Sequence, residues 1–223
     1  MSADPNDFVP FPKIPRLYKG SIWITEKIDG TNAQVCVERY PVGTDPKAVF
    51  DTAIPGEIIV DHGVSGLYRV RAGSRNRWLS PGKDNHGFFA WVSRHAGGLI
   101  ALGEGRHYGE WWGQGIQGGY GQSHKFFSLF NTGLWYDPST QPRNSDTQDA
   151  IPGISQLSVV PILYVGPWFS TGPDPVKEAM RRLQFSGSTL NPEFPSEGVV
   201  VYHEGSGSYM KAPFRPEPKG QPG

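Results

Sequence analysis

Lys27 is the side chain of this sequence best suited to covalent chemistry. It stands in the run Glu26-Lys27-Ile28-Asp29-Gly30-Thr31-Asn32, where a short apolar strand gives way to a tight turn. A lysine amine attacks an electrophile only when neutral. With a reference pKa of about 10.4 it needs burial or cationic neighbours to become a nucleophile. Gly30 lets the backbone turn and approach a ligand closely. Taken alone, the run reads more simply as a hairpin, with Asp29-Gly30 as turn residues and Lys27 in water.

Three further groups carry chemical possibilities. Arg69, Arg71, Arg75, Arg77 and Lys83 fall between His62 and Lys83, a stretch without an acid, whereas Glu38, Asp45, Asp51, Glu57 and Asp61 crowd the segment before it. Such a basic segment suits phosphates; a solvated strand edge is the plainer alternative. Glu110 lies among aromatics and glycines in His107-Tyr108-Gly109-Glu110-Trp111-Trp112-Gly113. An acid in that setting wants a hydroxyl, a cation or a metal. One ring of the following Phe126-Phe127-Ser128-Leu129-Phe130 could stack on a base, although most of these aromatics are simply core. Last, Glu197 opens the apolar run Gly198-Val199-Val200-Val201, and Lys211 closes Ser208-Tyr209-Met210-Lys211. A surface acid and a solvated lysine are the ordinary readings of that pair.

Short strands must hold these side chains. The chain has 223 residues, of which 29 are Gly and 21 are Pro, a loop-rich composition that favours many strands and few helices. Residues 21–25, 33–37, 57–60, 68–71, 107–111, 126–135, 158–165, 198–202 and 208–211 read as strands. Asp174-Pro175 caps a helix with apolar residues at Val176, Ala179, Met180 and Leu183. A second helix begins near Asp84, uses Phe88, Phe89, Trp91 and Val92, and stops at Gly97-Gly98. Residues 1–20 form a Pro-rich extended arm, 137–153 a polar loop, and 214–223 a flexible tail. Lys+Arg and Asp+Glu both total 21, so the net charge is zero, which excludes a broadly basic coat protein and an acidic solvating tail. The single cysteine, Cys36, excludes an internal disulfide and suits a reducing, cytoplasmic setting. There is no secretory leader pattern and no apolar run long enough to span a membrane.

The order of the pieces resembles that of the covalent nucleotidyltransferases, the ATP-dependent ligases and mRNA capping enzymes. The likeness is greatest to the RNA ligase 2 family, whose first motif is similar to Glu26–Asn32, and it extends from about Ile22 to Ala212. The resemblance implies an α+β nucleotidyltransferase fold, with antiparallel sheets around a nucleotide cleft and helices outside, over residues 21–213. It implies an ATP-dependent RNA ligase, active in RNA repair, that joins 5′-phosphate and 3′-hydroxyl ends with Mg²⁺ (or Mn²⁺). Lys27 would take AMP from ATP as a phosphoramidate. Glu26 would contact the adenine, Asn32 the phosphate or RNA end, and Glu110 the ribose hydroxyls. Phe127 would stack on the adenine, with Phe126 the alternative. Arg75, with Arg77 behind it, and Lys211 would face phosphates, and Glu197 would assist the metal-dependent steps. Tyr209 departs from the family's frequent Lys-x-Lys ending, and Asp29 stands where some relatives have histidine. The sequence ends soon after Lys211, so no OB-fold or C-terminal domain is expected, and RNA ends, nicked or single-stranded, would be met with help from a partner. The rivals are a small ATP-dependent DNA ligase or guanylyltransferase, and a nucleotide- or RNA-binding module with a decayed site.

Overall fold

A computed structural model describes residues 20–135, 154–168 and 172–214. The expected arm, apart from Gly20, the 137–153 loop and the tail beyond Phe214 lie outside the described residues.

Alternation builds the first sheet. β1 (Ser21–Glu26) buries Ile22 and Ile24 on one face and turns Trp23 and Thr25 to the other. It lies between β8 (Ile162–Pro167) and β9 (Gly198–His203), and β10 (Ser208–Pro213) extends the sheet beyond β9; all three pairings are antiparallel. The apolar face packs on α4 (Pro175–Ser186), where Ala179 and Leu183 meet Ile22, Ile24, Val199 and Val201. Asp174 caps that helix by accepting the backbone N–H groups of Val176 and Lys177, and Pro175 occupies the first turn, where its missing N–H is harmless.

The second sheet has the order β3-β4-β2-β5-β6-β7. Its strands are β2 (Thr31–Arg39), β3 (Glu57–Asp61), β4 (Leu67–Ser74), β5 (Gly105–Gly113), β6 (Lys125–Leu129) and β7 (Leu157–Val159). β2 buries Ala33, Val35 and Val37 against α2 (Phe88–Leu99), which contributes Phe88, Trp91 and Val92. A third apolar cluster, with Ile28, Trp112, Tyr120, Phe126, Val160 and Leu190, surrounds the link between β1 and β2.

The expected elements are met with five differences. The sheets are not wholly antiparallel, because β7 runs parallel to β6 after the long connection that a parallel return requires. The 126–135 run divides: β6 ends at Leu129, and Thr132–Trp135 turns into the short helix α3. The 158–165 run is two strands in different sheets. α2 passes through Gly97-Gly98 to Leu99, and it begins at Phe88 with the Asp84 carboxylate accepting the N–H groups of Phe89 and Ala90. A helix the pattern did not suggest, α1 (Pro46–Thr52), carries the same Asp-Pro start as α4, with Asp45 accepting the N–H of Lys47. No helix among the described residues is long and apolar enough to cross a membrane.

Candidate active site

The apolar faces of the two sheets are covered by helices, and their polar faces enclose a cleft of about 1500 Å³. Antiparallel pairing brings the end of β1 to the start of β9, so Lys27 meets Glu197, far away in sequence. The Lys27 N–H donates to the Gly198 carbonyl at 2.9 Å, and the Lys27 ammonium forms an ion pair with the Glu197 carboxylate. Lys211 lies in the same face. It is opposite Val200, which is opposite Thr25, and all three line the cleft.

The other wall is a polar chain across the second sheet. Asn32 and Glu110 are register partners in β2 and β5. The Asn32 amide donates to Glu110 Oε2 at 3.0 Å, and Arg75 Nε donates to Asn32 Oδ1 at 2.8 Å. The guanidinium, which can only donate, thereby fixes the amide with its nitrogen toward the carboxylate. Burial pushes the Glu110 carboxyl up to about 7; the Asn32 hydrogen bond and the charges of Lys27 and Arg75 pull the other way, and Glu197 adds to the rise.

The link between the sheets lies flat on β5. A Cβ on Gly30 would sit 2.7 Å from the Trp111 carbonyl oxygen and 2.9 Å from both Glu110 Cγ and Trp112 Cβ. Close approach to β5, rather than an unusual φ, is what this position demands of glycine. The next residue back is fixed too, because the Asp29 N–H donates to Tyr120 Oη at 2.8 Å. Glu26 is 1% exposed and lines the same cleft. Its Oε2 accepts the Thr189 backbone N–H at 2.9 Å and the Thr189 hydroxyl, while its buried Oε1 has no hydrogen-bond partner among the described residues.

The structure does not bring Phe127 to the cleft. Its ring is 0% exposed and packs in the core against Phe88, with centroids 5.0 Å apart, and Trp91, at 5.9 Å. Phe126 stacks on Trp112 at 4.9 Å and is buried in the third cluster. The phenyl ring that lines the cleft belongs to Phe130, just past β6. Alternation held the clue: Phe127 shares a face with Leu129, and both belong to the core under α2.

The arginine segment also divides. Arg75 and Arg77 line the cleft, joined by Arg106 from β5. Arg69 instead donates to Glu38 at 2.9 Å and Glu57 at 2.7 Å, and Arg71 donates to Glu38 at 3.1 Å and stacks 4.1 Å over the Trp78 ring. Glu38 faces Arg69, and Glu57 faces Arg71, across neighbouring strands. The acidic and basic stretches of sequence thus neutralise one another in the sheet.

Among the described residues no cluster of three His, Cys, Asp or Glu side chains could hold a metal by itself. A divalent ion carried by polyphosphate needs only one or two protein carboxylates, its other positions being phosphate oxygens and water. Glu197, which lines the cleft beside Lys27, fits that need.

Between the two sheets, a lysine–glutamate pair on one wall of the cleft faces an arginine–asparagine–glutamate chain on the other, and cationic side chains so placed are of the kind that hold phosphates. The RNA ligase family model matches residues 20–213, and the chain belongs to the RNA ligase family. No curated protein matches the sequence significantly. Among solved structures, a mutant of Naegleria gruberi RNA ligase with AMP and Mn superposes with a TM-score of 0.51 at 16% identity, over 88% of this chain and 50% of that one. The same ligase with PPi gives 0.51 at 17% identity, over 88% and 50% of the two chains. A mutant with ATP and Mn gives 0.50 at 16% identity, over 87% and 50%. At such identities the likeness is one of fold, and the chain spans about half the length of these ligases.

Proposed function

We propose that the protein is an ATP-dependent RNA ligase that joins 5′-phosphate and 3′-hydroxyl ends through AMP held covalently on Lys27. The observation that carries this reading is the Lys27–Glu197 pair, set across one cleft from the Arg75–Asn32–Glu110 chain. The neutral Lys27 amine would attack the α-phosphorus of ATP. The new N–P bond forms as the bond to the bridging oxygen breaks, pyrophosphate leaves with the electron pair, and the amine proton passes to solvent. Mg²⁺ or Mn²⁺, held by Glu197 with phosphate oxygens, would supply charge to offset that of pyrophosphate. Lys211 and Arg75 add positive charge from the protein. The adenylyl group then passes to a 5′-phosphate end, and a 3′-hydroxyl displaces AMP.

The nucleoside contacts follow from the walls. Glu26 Oε1, a buried acceptor without a partner among the described residues, suits the adenine amino group. Glu110, held by Asn32, suits the ribose hydroxyls. We assign adenine stacking to Phe130 in place of Phe127, because Phe130 lines the cleft and Phe126 and Phe127 do not. Whether a partner supplies RNA binding belongs to the same proposal.

The test is an intact mass after incubation with ATP and Mg²⁺, beside Lys27→Ala. The expected result is a gain of one AMP on the wild type alone. An adduct on Lys27→Ala would remove Lys27 from the chemistry. No adduct on wild-type protein that begins unadenylylated would turn the reading toward a binding module.

A further inference from the structure

On the cleft face of the first sheet, one row beyond Thr25–Val200–Lys211, three aromatic residues stand in register. Trp23 is opposite Tyr202, and Tyr202 is opposite Tyr209. All three line the cleft beside Lys211. The Tyr202 and Tyr209 rings lie 4.6 Å apart and are tilted by 33°, and Trp23 Nε1 donates to Glu204 at 2.7 Å, which anchors the indole. The other face of the sheet is the one that packs on α4, so these rings are not needed to close a core. Tyr209, on the edge strand, is 64% exposed.

An aromatic row lining the cleft beside a lysine, half-buried at Trp23 and Tyr202 and exposed at Tyr209, combines the two elements that hold an unpaired nucleotide. Ring faces stack on a base regardless of its identity, and the cation meets the backbone. The row lies about 7 Å from Lys211, two residues along each strand. Where the resemblance leads one to expect a second lysine, this chain has a ring. Resting on the RNA-ligase reading, we infer that Trp23, Tyr202 and Tyr209 form a stacking platform for an unpaired nucleobase of the RNA end, with Tyr209 as its outer, specificity-determining member.

The test is a cycle of protein and RNA changes. Fluorescence anisotropy would measure binding of a short 5′-phosphorylated oligoribonucleotide, intact or with an abasic site at each position in turn. Wild type should lose about tenfold in affinity at one abasic position. Tyr209→Ala should bind the intact strand about tenfold more weakly and lose nothing further at that position. Tyr209→Phe, which keeps the ring, should retain the wild-type pattern. Full abasic sensitivity in Tyr209→Ala, or none in wild type, would overturn the platform. So would an equal rise in the ATP concentration that Tyr209→Ala needs for adduct formation, because the row would then serve the mononucleotide. Failure of the wild type to form lysyl-AMP would count against the ligase reading alone, since the binding cycle needs no catalysis.

Discussion

The cleft holds one carboxyl whose titration is displaced into the working pH range, and replacing it tests the site's electrostatics directly. Glu110 titrates near 7 in the folded chain against a reference of 4.5, chiefly because it is buried. Between those values the folded state holds a proton that the unfolded state has released, so this residue's contribution to stability declines as pH rises through the window. At about 1.4 kcal/mol per pH unit, the full loss is about 3 kcal/mol. Glu110→Gln keeps the shape, and its amide oxygen can still accept the Asn32 N–H, yet it cannot ionise.

Urea unfolding of both proteins from about pH 4 to about pH 9 isolates the effect, because titrating groups that do not interact with Glu110 cancel in the difference. Near pH 4 the two should be nearly equal in stability. Above pH 8 the glutamine variant should be the more stable by about 3 kcal/mol and, on the proposed function, should form the adduct more slowly because an acceptor for the ribose hydroxyls is lost. A difference that stays flat across this range would refute the assignment of a buried, proton-retaining carboxyl to Glu110.

Phe127→Ala should lower the unfolding free energy by about 3–5 kcal/mol, because it opens a cavity under α2. Phe130→Ala should cost less stability and raise the ATP concentration for half-maximal adduct formation about tenfold; the reverse pattern in urea and ATP titrations would restore Phe127 to the nucleotide. Gly30→Ala drives a methyl into the Trp111 carbonyl, a backbone atom that cannot move cheaply, and should cost about 1–3 kcal/mol by urea unfolding. Tyr120→Phe leaves the Asp29 N–H without its acceptor, and should cost about 1 kcal/mol in the same assay and slow adduct formation.

Local patterns in the sequence translated directly into structure. Alternation in β1 and β2 and the Asp-Pro start of α4 depend on neighbouring residues alone, so they are visible without the fold. α1 carries the same Asp45-Pro46 signal, but its apolar pattern is too weak to mark a helix. The limit of such local patterns is at contacts between strands. The run from His62 to Lys83 looks like one basic surface only until β3 and β4 are placed side by side and β2 beside β4. Glu57 then lies across from Arg71, and Glu38 across from Arg69. Phe127 belongs to the core for a related reason. A ring next to polar strand residues looks available, but Gly109 on the neighbouring strand has no side chain, and a Cβ there would come within 2.6 Å of the Phe127 ring. That space is filled from the core side.

The candidate site is divided between two sheets joined by the Glu26–Asn32 link, by the Val160–Pro161 step from β7 to β8, and by the cluster around Ile28. Lys27, Glu197 and Lys211 belong to the first sheet, and Asn32, Glu110, Arg75 and Phe130 to the second and its flanks. In the proposed reaction a nucleotide bound between them would have its reacting phosphate on one wall and its ribose on the other. In-line attack tolerates little error in that relative placement. The residues that set it touch no substrate. Gly30 holds the link against β5, Tyr120 fixes the Asp29 amide, and Ile28 is buried beside Trp112 and Val160. Lys27, the proposed nucleophile, therefore stands within a segment whose packing helps determine how the two walls face each other. This explains why the most recognisable run in the sequence combines reactive residues with residues whose work is purely steric.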